Sequence, residues 1–250
     1  MSTNALSASI DPERMLAHFQ SFPFDTEGRA YLEFHAKRYA YLIELIRQYL
    51  QAGQPCSRIL DVGPSVFTQY MRDKAVAEHI DSLGYEDARF ACRPGDCHTE
   101  YDLTKTVDHG SWPHMQACDI IIMAEVIEHL PIPPDHVLAF LSSILKPSGV
   151  LIIQTPNACS LPKRLRMLRG QNPFEMIRDC PRNPGHYREY TVHELVDIAQ
   201  QASLTVDSVS VSNYFLRNTV SARVFRWLGP LFPSTLRDGI TLCLRKQTED

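Results

Sequence analysis

Arg58–Met71, RILDVGPSVFTQYM, is the stretch on which the fold turns. Ile59, Leu60 and Val62 form a short apolar run of the kind a buried strand needs, Asp61 and Gly63 close it, and a helix is expected from about Thr68. A strand, a tight turn and a helix N-terminus in that order mark the carboxyl edge of an open α/β sheet. At such an edge nucleotide-like ligands settle and helix-start N–H groups face an anionic group. Gly63, with no Cβ, lets a ligand approach the backbone closely. An ordinary strand-to-helix turn would be spelled in the same way, so the reading needs support from elsewhere in the chain.

Outward from there, Cys118–Ala124 (CDIIIMA) is, Asp119 apart, a continuous apolar run, the signature of a central parallel strand buried on both faces. It is followed by Glu125-Val126-Ile127-Glu128-His129-Leu130, a helix expected over Pro134–Leu145, a Lys-Pro-Ser-Gly turn at 146–149 and a strand over Val150–Gln154 that ends in Thr155-Pro156-Asn157. A strand ending in Glu86 is expected over Glu78–Glu86, another over His98–Leu103, and two more over Leu204–Val211 and Ile240–Arg245. Upstream, Asp11-Pro12 begins a short helix to about Gln20, and Arg29–Gln51 reads as a long amphipathic helix, with His35, Tyr39, Leu42, Ile43 and Ile46 at three- and four-residue steps. Thr191 and Glu194 spell a capping box for a further helix.

This series resembles the class I S-adenosylmethionine (SAM) dependent methyltransferases. Asp61 and Gly63 match the first residues of motif I, (D/E)-x-G-x-G-x-G, while Ser65 and Phe67 stand where the second and third glycines are expected. The runs D-I-I-I-x-x-E-V-I-E-H-L and L-K-P-S-G-V-L-I-I-x-T-P-N are similar to later motifs of small-molecule members, including those of ubiquinone, polysaccharide and secondary-metabolite pathways, and their order agrees from Arg58 to Asn157. The resemblance implies an α/β fold with a Rossmann-like, seven-stranded, mostly parallel sheet, N-terminal helices and a cap insertion. Residues 1–54 would form a helical cap and 55–250 a SAM-binding domain with insertions at about 158–187 and 215–237. It also implies a cofactor site of Asp61, Gly63, Pro64, Ser65, Phe67, Glu86, Asp102, Leu103, Ala124 and Glu125. In that site the amides of residues 63–67 would take the methionine carboxylate, Glu86 (or Asp81) the ribose hydroxyls, and Asp102 the adenine amino group, with Leu103 packed on the ring. No G-x-G-x-x-G can be written here, which argues against a nicotinamide or flavin protein.

Composition narrows the remaining classes. At 250 residues and 44% hydrophobic, the chain can bury a full core. No run of about 18 uncharged apolar residues occurs and the N-terminus is polar, so a cytoplasmic protein with no transmembrane segment is expected. Seven cysteines form no CxxC pair and are expected to be reduced; Cys92, Cys97 and His98 are a poorly spaced candidate for zinc. The net charge of −4 gives no reason to expect general nucleic-acid binding. Residues 1–150 carry 12 Lys and Arg against 20 Asp and Glu, and residues 151–250 carry 13 against 9, so the later part suits an anionic, or a lipid- or sugar-linked, acceptor. Lys163, Arg164, Arg166 and Arg169 are either solvated charges on a short helix or a clamp for a phosphate or carboxylate. Val220–Leu236 mixes Trp and Phe with arginines, which suits either a helix packed on the body or a peripheral contact with a membrane.

Chemistry is expected from Glu125, Glu128 and His129, at i, i+3 and i+4, joined by His186 from the sequence GHYREYT. Methyl transfer to oxygen requires the acceptor to lose a proton, so Glu128, His129 and His186 are candidate catalytic groups. Two carboxylates and imidazoles also suit Mg²⁺, Mn²⁺ or Zn²⁺, with Glu125, Glu128, His129 and His186 as ligands. The E-x-x-E-H pattern is similar to that of metal-using ubiquinone-pathway O-methyltransferases and small-RNA 2′-O-methyltransferases, so RNA 3′-end methylation is an alternative. A second alternative is a non-catalytic scaffold whose loop has lost SAM.

Overall fold

The computed structural model describes residues 12–22, 26–51, 56–86, 92–180, 184–214 and 233–247. Its elements in chain order are α1 (Pro12–Phe19), α2 (Thr26–Gln51), β1 (Arg58–Val62), α3 (Val66–Asp73), β2 (His79–Gly84), β3 (His98–Glu100), β4 (Cys118–Ala124), α4 (Pro134–Ser143), β5 (Leu145–Pro156), α5 (Leu161–Leu168), α6 (Val192–Gln201), β6 (Leu204–Ser212) and β7 (Gly239–Lys246). The strands form one seven-stranded sheet in the order β3-β2-β1-β4-β5-β7-β6, in which only β7 runs antiparallel to its neighbours.

The central strands are rich in apolar residues because side chains pointing either way enter one of two cores. Leu60, Val62, Ile121, Met123, Leu151 and Ile153 meet α4 and α6 on one face. Ile59, Ile80, Ile120, Ile122, Val150 and Ile152 meet α1, α2 and α3 on the other. Such two-sided cover is what an all-parallel centre demands. Where β1 turns from β2 toward β4, the chain reverses its direction of winding, and the strand ends open a crevice there.

Element ends differ from the sequence reading for local reasons. α3 starts at Val66, not Thr68, because Ser65 caps it and Thr68 returns a bond to the Ser65 N–H, completing a capping box. β2 ends at Gly84, short of Glu86, and β3 ends at Glu100, because Asp102 accepts from the Thr104 N–H and hydroxyl and winds Leu103–Val107 into a 3-10 turn. β5 begins at Leu145, paired with Cys118, and absorbs the Lys-Pro-Ser-Gly stretch as an irregularity in the ladder. The expected cap contains α5, and Val220–Phe232 lies outside the described residues. Among the described residues, no helix is long and apolar enough to cross a membrane.

Candidate active site

Gly63 turns with φ +82°, donates its N–H to the Leu83 carbonyl at 2.8 Å, and has Val126 Cγ2 3.0 Å from where a Cβ would sit. A side chain there would be strained both by the backbone conformation and by that contact. Gly84, at φ +136°, lies against Pro64 and the Gly63 backbone, so the ends of β1 and β2 touch through two glycines.

The amides of residues 63–67 are largely committed to the protein. Gly63 N–H goes to Leu83, Pro64 has none, Ser65 N–H goes to Thr68 Oγ1 at 2.8 Å and Phe67 N–H to Ser65 Oγ at 3.2 Å. Val66 is the remaining amide of the set. Phe67 places its ring in the core, 2% exposed and stacked on Tyr39 at 5.2 Å, and does not offer it to a ligand. The cause is the amphipathic spacing of α3, which sends Phe67, Tyr70 and Met71 to one buried face. Leu103 is likewise core, 7% exposed beside Phe140 and Leu141.

Asp61 is buried with its carboxylate accepting the Thr68 hydroxyl at 2.6 Å. Burial pushes its carboxyl up to about 7, against the opposing pull of Thr68, Arg72 and Arg38. Glu86 is exposed two residues beyond β2, and Asp102 holds the 3-10 turn through Oδ1. Asp81, the alternative ribose acid, is committed elsewhere. It pairs with Arg58 at 2.5 Å and accepts from Cys97 N at 2.8 Å.

At the end of β4, Ala124 is half-buried and Glu125 adopts φ +58°, a left-handed turn a non-glycine residue rarely takes. Glu125 N–H is fixed by the Gln154 carbonyl at 2.7 Å, and Glu125 Oε1 is buried without a hydrogen-bond partner. Burial, with the nearby Glu128 charge, raises the Glu125 carboxyl well above the ordinary range. Opposite stands Arg38 on α2, 2% exposed, its Nε donating to His35 Nδ1 at 3.2 Å and its guanidinium 4.5 Å from the centre of the Tyr39 ring. His35 is held neutral, down to about 3, by burial and by Arg38. Arg38 was missed in the sequence; its only signal was a cation three residues after His35 on the apolar side of a helix, where charges rarely sit.

The expected helical turn presenting Glu125, Glu128 and His129 together does not form. After the left-handed Glu125, the chain makes a single 3-10 turn over Ile127–His129, and the group that converges is Glu128, His129 and His186, with ligand atoms within 4.8 Å of one another. Glu125 is outside it. Glu128 is fully buried, accepts the Thr155 hydroxyl on Oε2 at 2.9 Å, and leaves Oε1 without a partner, 4.0 Å from His129 Nε2. Burial raises the Glu128 carboxyl and the neighbouring His129 opposes this. His129 Nδ1 donates to the Gly185 carbonyl at 2.9 Å, which puts the free lone pair on Nε2. His186 bonds Glu189 through Nδ1 at 3.0 Å, and burial pushes it down to about 4. Two imidazoles and a buried carboxylate oxygen with no partner suit a divalent cation, and the carbonyl on His129 Nδ1 is the support a ligating histidine uses. Cys92, Cys97 and His98 form no such group among the described residues, and all seven cysteines are free.

The cationic run divides. Lys163 turns inward, its Nζ bonded to Asn157 O at 3.1 Å and to Glu189, while Arg164, Arg166 and Arg169 are exposed.

A seven-stranded sheet in this order, with one antiparallel strand and a glycine turn at the end of β1, defines the class I methyltransferases, enzymes that take SAM as cofactor. Residues 34–209 match the methyltransferase-domain family, and the chain belongs to it. A probable SAM-dependent methyltransferase of Mycolicibacterium smegmatis is 26% identical over 137 residues, 53% of this chain and 46% of that relative, so the chain matches under half of its length. Among solved structures, a SAM-dependent methyltransferase of Archaeoglobus fulgidus is 17% identical with a TM-score of 0.52, covering 83% of this chain and 94% of its own. The N-methyltransferase NodS of Bradyrhizobium japonicum, bound to S-adenosylhomocysteine, is 14% identical with a TM-score of 0.51, covering 95% and 97%. A 1,6-didemethyltoxoflavin-N1-methyltransferase of Burkholderia thailandensis is also 14% identical, with a TM-score of 0.51, covering 97% and 93%. At these identities the structures speak to fold.

Proposed function

We propose that the protein transfers the methyl group of SAM to an oxygen of a small-molecule, sugar-linked or lipid-linked acceptor inside the cytoplasm, with His129 taking the acceptor's proton. The observation that carries this reading is His129 Nε2, a lone pair freed by the Nδ1 bond to Gly185, beside the buried Glu128 carboxylate. Displacement at a sulfonium methyl requires alignment of donor and acceptor and no covalent enzyme intermediate, but a hydroxyl must shed a proton to attack. Glu128, held by Thr155, favours the imidazolium that results. The cofactor's methionine end would lie across the Gly63 turn. The Val66 amide and the buried Arg38 would face its carboxylate, and Glu125, with an unpartnered oxygen, its ammonium.

A second reading is favoured by the unpartnered Glu128 Oε1: Glu128, His129 and His186 would hold Mg²⁺, Mn²⁺ or Zn²⁺. When bound, such an ion would polarise the acceptor oxygen. One set of measurements tests both. Calorimetric titration with S-adenosylhomocysteine should give heat and raise the melting temperature, and absence of both at millimolar ligand makes the chain a non-catalytic scaffold. With methyl transfer to hydroxylated acceptors in hand, His129→Ala should reduce kcat at unchanged cofactor affinity. Activity that survives exhaustive chelation removes the cation and keeps His129 as the base.

A further inference from the structure

We propose that the outer face of the cap, made by α5 and residues 171–180, is a docking surface for an anionic lipid bilayer. The argument starts from Lys163, which α5 turns inward to Asn157 and to Glu189, a side chain only 4% exposed. At about 100° per residue, fixing Lys163 inward sends Leu161, Leu165 and Leu168 to the opposite side. This i, i+4, i+7 stripe is the pattern that elsewhere in the chain enters the core, yet no residue of α5 is buried. Leu165 is 40% and Leu168 82% exposed, and the following loop adds Phe174 at 39%, Met176 at 76% and Ile177 at 57%. Large apolar side chains concentrated in so short a stretch of surface mark an interaction site.

Charge selects the occupant. Residues 161–180 carry five Lys and Arg against two Asp and Glu, within a chain whose net charge is −4. Arg164 and Arg169 flank the leucine stripe on its two sides, and both are exposed. An apolar stripe bordered by arginines is the composition of a helix lying in a headgroup layer, where the leucines enter the acyl boundary and the guanidinium groups stay with the phosphates. RNA would engage the arginines and leave Leu168, Met176 and Ile177 in water, while a purely apolar protein partner would leave the arginines unmatched. The surface does not depend on the reaction at His129, so vesicle binding and methyl transfer succeed or fail separately. It would deepen the acceptor assignment toward a lipid-linked substrate, because the inward side of the same helix reaches Glu189, the residue that holds His186.

The test is flotation of the full chain with large unilamellar vesicles. It should float with phosphatidylcholine vesicles containing one-third phosphatidylglycerol, much less with pure phosphatidylcholine, and less as salt rises. Arg164→Gln with Arg169→Gln should weaken partitioning about 25-fold, roughly fivefold per cation near the surface. Leu165→Ser with Leu168→Ser, and separately Met176→Ser with Ile177→Ser, should lose flotation while keeping the wild-type circular dichroism and melting temperature, because these side chains are exposed. No flotation of the wild-type chain, or equal flotation of the serine variants, overturns the proposal. So does a dimer in light scattering that Leu168→Ser dissociates, or binding of labelled RNA that the serine variants lose while lipid binding persists.

Discussion

Replacing Asp61 by asparagine removes an ionisable group from the end of β1 while keeping an oxygen that can accept the Thr68 hydroxyl. The folded protein raises this carboxyl from 3.8 to about 7, chiefly through burial. Its proton is therefore held more tightly in the folded than in the unfolded chain. The stability that goes with this is complete below about pH 4 and is lost as pH rises through 7. With about 1.4 kcal/mol per unit, the loss between pH 5 and pH 8 is about 2.5 kcal/mol. Urea denaturation of wild type and Asp61→Asn across that range isolates the contribution, because every other titrating group is common to both. The wild-type unfolding free energy should fall relative to the variant by about 2.5 kcal/mol, with most of the change complete by pH 8. Parallel curves would refute the argument: they would mean that Thr68, Arg38 and Arg72 hold the folded carboxyl at its ordinary value.

Gly63→Ala should cost about 1–2 kcal/mol in urea denaturation, from the left-handed backbone alone, and should weaken S-adenosylhomocysteine in calorimetry as the new Cβ presses on Val126. Arg38→Met takes one nearby cation from Glu125 and Glu128 and should both lower the melting temperature and weaken S-adenosylhomocysteine by about tenfold, read by calorimetry. Thr191→Ala removes the side chain that caps α6 and should cost about 1 kcal/mol with cofactor affinity unchanged.

Much of the fold could be read from the chain because its central strands are buried on two sides. In Cys118–Ala124, Ile121 and Met123 serve one core and Ile120 and Ile122 the other, so the run from Ile120 to Met123 is apolar without a break. The Thr191–Glu194 box was also legible, since both partners are spelled in the sequence at a fixed spacing. Ser65 and Thr68 spell a comparable box, which overlaps the positions of a glycine motif and so is ambiguous in sequence between a cap and a ligand loop. The candidate site was harder to read, because its arrangement depends on a backbone choice. Glu125 takes a left-handed conformation that no residue type announces, and this separates it from the Glu128–His129 pair with which its spacing had grouped it. The place of Arg38 in the site and the inward pairing of Lys163 were not legible for another reason: their partners Gln154 and Glu189 lie 116 and 26 residues away.

Glu189 ties two side chains together. One of its oxygens grips Lys163 on the roofing helix and the other holds the His186 ring. Lifting the roof to admit a substrate would tug on the same carboxylate that orients the imidazole, so an open lid would leave that ring slack. Closure would then do two jobs in one stroke, shutting out water and setting that ring.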